Sequence, residues 1–330
     1  MIFLRIYARV ILFVSSIVGL KSLIPIKEQE GEKMSNRNFR EMLEEQWSRG
    51  KFVSVGLDSE LAKMPQFFRE HASRYDEGST IAAFNRDIVE ATKDIVCAYK
   101  PNTAFYEAYG RVGIAALYRT IADIHLIAPD VPVILDAKRA DIGNTNAGYV
   151  KFAFDHLKAD AITVHPYLGA EALQPFLDRT DKGVIVLCRT SNPGAGEFQD
   201  VRVVQTAEEA LRWGSCMRPM AFYQLVAYRV AREWNKNGNC MLVVGATYPD
   251  ELREVREIVG DMPILIPGIG AQGGDLEKTV AVGKDSRGKG MIINSSRGII
   301  HASAGEDYAA SARRETEKLN GFIGQFLAKK

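Results

Sequence analysis

"VPVILDAKRADIGNT", residues 131–145, reads as a buried strand that runs into charge. The stretch is apolar as far as Leu135, and then Asp136, Lys138, Arg139 and Asp141 follow within six positions. An apolar run without polar alternation implies a strand covered on both faces, hence a parallel sheet under helical crossovers. Residues two apart on a strand share a face, so Asp136 and Lys138 are predicted to point the same way, toward the sheet interior. Asp141 follows on the loop.

The same unit recurs along the chain: a short apolar run, a polar or glycine-containing loop, then a helical pattern. The other runs are "FVSVGLD" (52–58), "IVCAYKPN" (95–102), "AITVHP" (161–166), "GVIVLCRT" (183–190), "CMLVVGAT" (240–247), "MPILIPGIG" (262–270) and "GMIINSSR" (290–297). With 131–138 this makes eight units, the arithmetic of a single α/β (β/α)8 TIM barrel, whose usual length is about 250 residues. An open doubly wound sheet normally needs fewer strands, and no break in composition marks a second domain. Residues 34–330 are therefore read as one barrel domain. In a barrel the functional side chains sit at the C-terminal ends of the strands, and Asp58, Lys100, Asp136 with Lys138, His165, Thr190 and Arg297 occupy those ends. His165 is read as a wall residue outside the chemistry. The polar stretch from Ser191 to Arg218, with "SNPGAGEFQD", reads as an extended loop over the barrel mouth.

Composition is that of an ordinary globular protein, 46% apolar and 25% charged. Lys and Arg total 42 against 41 Asp and Glu, which gives no reason to expect nucleic acid or an anionic membrane as partner. Cys97, Cys188, Cys216 and Cys240 form no CxxC pair, and three lie in apolar runs, so they are expected to be reduced core residues of a cytoplasmic protein. The N-terminus departs from this pattern. Arg5 and Arg9 precede an apolar run from Val10 to Leu20, which is short for a membrane span and resembles a signal-peptide core without a small-residue cleavage site. The codons for "EGEKM" (30–34) must form a purine-rich tract just before an ATG, as a bacterial ribosome-binding site does. Residues 1–33 are accordingly read as a non-native or mis-assigned extension, with translation starting at Met34; a native N-terminus upstream of Met34 by mass spectrometry would overturn that.

If Lys100 joins Asp136, Lys138 and Asp141, positive and negative charges alternate in a confined volume. One reading is a structural ion-pair network, but desolvation cancels much of the Coulomb gain of such a network. The other is a preorganised field for catalysis at the barrel mouth. At the opposite side of the mouth, "PGIGAQGGD" after the seventh strand lets backbone N–H groups approach an anion, and Arg297 after the eighth offers a bidentate contact, together a phosphate cradle.

"DAKRADIGNT" fits the D-x-K-x-x-D-I-x-N-T pattern of orotidine 5'-phosphate decarboxylases, and "GLD", "YKPN", "PGIGAQGGD" and "SSRGII" resemble that family's remaining landmarks. The resemblance runs from Met34 onward and is nearest the longer, type 2 bacterial subgroup with D-A-K-R. It implies decarboxylation of orotidine 5'-phosphate to uridine 5'-phosphate without metal or cofactor. Lys138 would stabilise the C6 carbanion and donate the proton, with Asp136 and Asp141 holding it charged. Lys100 would hold Asp136 and, with Asp58, meet the ribose hydroxyls. Gln272 and Arg297 would grip the phosphate, and Ser191 would meet the pyrimidine ring, although "SNPG" also reads as a simple turn. Asp141, Ile142 and Thr145 would be donated across the interface of a homodimer. Members usually have Gly before the arginine, where this chain has Ser296. The nearest rival is a Mg-dependent sugar-phosphate decarboxylase or aldolase of the same superfamily, which resembles the chain at D-x-K-x-x-D but normally carries Glu where Lys100 would repel a metal. A non-catalytic nucleotide-binding barrel would tolerate loss of the Lys and Asp residues, and all are present.

Overall fold

The computed structural model describes residues 37–214, 219–269 and 275–329. The extension 1–33, the Met34 start, Cys216 and Gln272 lie outside them. Eight parallel strands form one sheet: β1 Val53–Gly56, β2 Ala98–Lys100, β3 Ile134–Arg139, β4 Ala161–Val164, β5 Gly183–Arg189, β6 Cys240–Val244, β7 Ile264–Pro267 and β8 Met291–Ser295. Their order is β2-β1-β8-β7-β6-β5-β4-β3. The ends of that series meet through isolated bridges, Tyr99 with Val133 and Asn102 with Asp136, so the sheet closes on itself. The predicted barrel is the fold.

The β2–β3 seam is the thin place in the barrel. It is carried by Tyr99 N–H to Pro132 O (3.0 Å), Asp136 N–H to Pro101 O (2.9 Å) and Thr103 N–H to Asp136 O (3.2 Å). Pro101 and Pro132 have no N–H to return, which is why no regular ladder forms there.

Strand burial follows from the continuous apolar runs: β1, β2, β4 and β6 are buried at every residue, between the side chains filling the barrel and the surrounding helices. The helix Phe39–Ser48, capped by Asn38 on the N–H of Glu41, crosses the N-terminal end of the barrel. It is tied to three strand starts, by Gln46 Nε2 to Asp130 O (2.8 Å), Phe39 N–H to Asp181 O (3.0 Å) and Trp47 Nε1 to Met291 O (2.8 Å). With the helix across that end, the barrel interior opens at its C-terminal mouth. The last helix, Tyr308–Ala328, packs back beside β1.

The segment expected to be a loop after Ser191 has structure of its own. Its described part contains short helical turns at Pro193–Ala195 and Gly196–Gln199, a helix Ala207–Trp213, and an antiparallel pairing of Arg202–Val203 with Met220–Ala221. The helix forms where Thr206 and Glu209 make a capping box. Cys97, Cys188 and Cys240 are free and buried. No helix among the described residues is long and apolar enough to cross a membrane.

Candidate active site

A cavity of about 460 Å³ opens at the C-terminal ends of the strands, a volume typical of small-molecule sites. Asp58, Lys100, Asp136, Lys138, Ser191 and Arg297 all line it.

At the cavity floor three charges lie in a row. The Lys100 ammonium is 2.7 Å from Asp136 Oδ2, and the Lys138 ammonium is 2.5 Å from Asp136 Oδ1. Asp58 Oδ1 stands 3.9 Å from Lys100 Nζ on the other side. Lys100 is only 3% exposed and Asp136 8%, whereas the Lys138 side chain is 48% exposed and reaches into the cavity. Burial works against the charged form of Asp136, but the two ammonium groups and their hydrogen bonds outweigh it and hold the carboxyl well below the usual carboxylate range. Burial likewise opposes the charge on Lys100, and Asp136 and Asp58 overcome it, so its ammonium is held above the usual lysine value.

Asp136 and Lys138 do meet, but regular alternation is not what brings them together. β3 pairs Leu135 with Ile162 and then Arg139 with Val164, so the register slips across the charged residues. Within this bulge Lys138 has φ +48°, a left-handed conformation that costs a non-glycine residue on the order of 1–3 kcal/mol. Thr163 of β4 holds the bulge. Its hydroxyl oxygen accepts the N–H groups of Ala137 (3.0 Å) and Lys138 (2.9 Å), and its O–H donates to Asp136 Oδ1 (3.0 Å). Sequence reasoning passed over Thr163; the available signal was a buried hydroxyl in the middle of the apolar run "AITV", facing the strand that carries the charges.

Asp141, Ile142 and Thr145 are placed differently. Asp141 Oδ1 accepts the N–H of Ile142 (2.7 Å), and no cation lies within 4.0 Å of its carboxylate among the described residues. Asn146, fully buried, fixes this loop by accepting the Asp141 N–H (2.8 Å) and donating to the carbonyls of Asp141 and Ala172 (both 2.5 Å). Ile142 is 61% exposed, and none of the three residues lines the cavity of its own chain. The row of charges within one chain is thus Lys100, Asp136 and Lys138, without Asp141.

Arg297 begins the short helix Arg297–Ile300 at the end of β8 and is exposed at the cavity wall beside Gly268 and Ile269 of the loop after β7. Ser296 sits tightly under β1: a Cβ on Gly56 would fall 1.8 Å from Ser296 Oγ. Ser191 lines the wall after β5 with Thr190, Asn192 and Gln199. His165 is not part of the wall; its Nδ1 accepts the N–H of Tyr167 (3.3 Å), and it shapes the loop after β4. Asn102, which ends the run "IVCAYKPN", Asn294, inside the apolar run of β8, and Gln199, on the insert, also face the cavity. Among the described residues no group of three or more His, Cys, Asp or Glu is arranged to hold a metal ion.

A barrel with a Lys–Asp–Lys row at its cavity floor and an arginine after the eighth strand has well-defined relatives. A protein named orotidine 5'-phosphate decarboxylase in Ralstonia pickettii is 47% identical over 289 residues, covering 87% of this chain and 98% of that protein. One of the same name in Thermomicrobium roseum is 47% identical over 288 residues, 87% of this chain and 95% of that one. The solved structure of Leishmania donovani OMP decarboxylase superposes with a TM-score of 0.71 at 35% identity, covering 87% of this chain and 99% of that one. The profile of the orotidine 5'-phosphate decarboxylase / HUMPS family matches residues 53–313, from the first residue of β1 into the last helix, and the chain belongs to that family.

Proposed function

We infer that the protein decarboxylates orotidine 5'-phosphate to uridine 5'-phosphate, the last step of UMP synthesis. The observation that carries this reading is the Lys100–Asp136–Lys138 row at the cavity floor, with the Lys138 ammonium the more exposed of the two. Relatives at 47% identity carry the same name across nearly their whole length.

The reaction breaks the bond between C6 and the carboxylate of the pyrimidine and leaves an electron pair on C6, where no adjacent carbonyl can take it up. The Lys138 ammonium stabilises that pair by charge, then transfers a proton to C6 as CO2 departs. Asp136, ionised and pinned by Lys100 and Thr163, pairs with the Lys138 ammonium and aims it. Asp58 and Lys100 receive the ribose hydroxyls, Ser191 the ring, and Arg297 with Gln272 the phosphate. Binding energy from the phosphate, remote from the reacting bond, organises the site.

The active unit is a cytoplasmic homodimer in which Asp141, Ile142 and Thr145 enter the partner's site. Support comes from their absence from the cavity of their own chain and from the exposed apolar surface around them, with Ile142 at 61%, Tyr167 at 81% and Leu168 at 44% exposure on loops after adjacent strands.

The Mg-dependent sugar-phosphate reading is disfavoured by Lys100, whose ammonium already stands between the carboxylates of Asp58 and Asp136 that a divalent cation would need. Purified protein incubated with orotidine 5'-phosphate and EDTA is expected to show loss of the substrate's ultraviolet absorbance at an undiminished rate. No conversion would defeat the assignment and direct attention to sugar phosphates.

A further inference from the structure

Arg189, the last residue of β5, is 2% exposed, an unusual place for a guanidinium. It lies over the ring of Tyr248 with 3.9 Å between guanidinium carbon and ring centroid, and one edge reaches Asp200 Oδ2 (3.2 Å). Its Nη1 points at the carbonyl of Thr190 (3.3 Å) and at Gln199 Oε1 (3.4 Å). Gln199 belongs to the inserted segment, is half-buried, and lines the cavity. Its carboxamide closes on the turn after β5: Oε1 accepts the Thr190 N–H (2.9 Å), and Nε2 donates to the Thr190 hydroxyl (2.9 Å). That hydroxyl donates in turn to Asn192 Oδ1 (2.7 Å). From the other side Gly245, whose N–H donates to Arg189 O (2.8 Å), lets the turn sit close: a Cβ there would fall 2.6 Å from that of Ser191. Gln199 thus bonds directly to Arg189 and Thr190, on one side of Ser191, and reaches Asn192 on the other through the Thr190 hydroxyl.

We propose that Gln199, oriented by the stacked Arg189, is a positioning residue that latches the inserted segment to Thr190–Asn192 and so presents this turn for recognition of the nucleotide's pyrimidine ring. A buried cation stacked on an aromatic face and sharing an acceptor with a backbone N–H gives the amide one orientation. Without it, the turn keeps Gly245 as its floor but loses its lateral tie, and the energy of ordering it falls on the ligand. The proposal rests on the decarboxylase reading and on Ser191 facing the ring.

The experiment compares wild type, Gln199→Ala, Gln199→Met, Gln199→Glu and Ser191→Ala in kcat and KM for orotidine 5'-phosphate, and in inhibition by uridine 5'-phosphate and by ribose 5-phosphate, which has no ring. Gln199→Ala and Gln199→Met are expected to raise KM and weaken uridine 5'-phosphate about tenfold, the scale of one oriented hydrogen-bond pair, while ribose 5-phosphate stays within about twofold. Gln199→Glu keeps an acceptor for the Thr190 N–H and Arg189 and restores most of the loss. Because Gln199 stands on the insert and not in the barrel core, the methionine variant keeps its packing and serves if alanine disturbs the fold. Equal weakening of both inhibitors, or of neither, in the two amide-free variants overturns the latch. A Ser191→Ala variant with an unchanged ratio between the inhibitors overturns the ring-reading role of the turn and the latch with it. Absence of turnover in wild type overturns the activity instead, so the three failures are distinguishable.

Discussion

Replacing Lys138 by alanine removes the one ammonium of the row that reaches into the cavity. In the unliganded molecule its side chain is 48% exposed, but a substrate seated against it would displace that water. Reacting groups in a productive complex lie about 3–3.5 Å apart. At that distance, with an effective dielectric near 20, a full negative charge on C6 and the ammonium attract by about 5 kcal/mol. Water entering the space left by the side chain recovers part of this, and about 4 kcal/mol remains, at the upper end of what deletion of a single electrostatic stabiliser costs elsewhere. That is about three orders of magnitude in rate, before loss of the proton donor is added. The fold should survive, because Asp136 keeps Lys100 at 2.7 Å and the Thr163 hydroxyl at 3.0 Å. The assay is kcat by loss of ultraviolet absorbance at saturating substrate, with a thermal melt by circular dichroism to verify folding. A folded Lys138→Ala enzyme with kcat within about tenfold of wild type would refute the electrostatic mechanism.

Asp136→Asn leaves the buried Lys100 with only Asp58 at 3.9 Å, and should cost about 3–5 kcal/mol of stability at neutral pH. Because the Asp136 carboxyl is depressed, the stability it contributes is complete above the unfolded carboxylate value near 3.9 and is lost as pH falls from there toward the folded value, so the gap between wild type and variant should narrow below about pH 4; urea unfolding at pH 7 and in acid measures it, and a gap that widens in acid would contradict the assignment. Thr163→Val strips the acceptor from two backbone N–H groups and is expected to cost about 2–4 kcal/mol and much of kcat, with Thr163→Ser restoring both. Gly56→Ala should destabilise by about 1–3 kcal/mol through its clash with Ser296, and Ser296→Gly in the same chain should relieve most of that, as a double-mutant cycle of unfolding free energies would reveal. Mixing inactive Lys138→Ala and Asp141→Ala chains under conditions of subunit exchange should regain about a quarter of wild-type activity, since half of the dimers would then hold one intact site of two; no regain would argue against shared sites.

Much of this molecule is legible in its sequence because eight continuous apolar runs have few ways to be covered, and the barrel is one of them. The ends of those runs also carry the charged residues that line the cavity, Asp58, Lys100, Asp136, Lys138 and Arg297. What remained hidden depended on local geometry that breaks periodicity. The alternation argument joined Asp136 to Lys138, but the slip in register and the left-handed Lys138 are set by Thr163 on another strand, some 25 residues on in the sequence. His165 reads as a wall residue outside the chemistry, yet it is not in the wall and turns to its own loop. The insert after Ser191 reads as a loop because its described elements are only two to seven residues long, too short for hydrophobic periodicity to register.

The β2–β3 seam ties the chemistry to the mechanics of the barrel. Where the two prolines thin the ladder, Lys100, the last residue of β2, and Asp136 on β3 add a side-chain ion pair to the three backbone bonds that cross the seam. The ion pair therefore reinforces the few backbone bonds of the seam while it supports the chemistry. An opening motion that starts where the backbone ladder is sparsest would pull these two charges apart, so the integrity of the barrel and of the site are coupled at one seam.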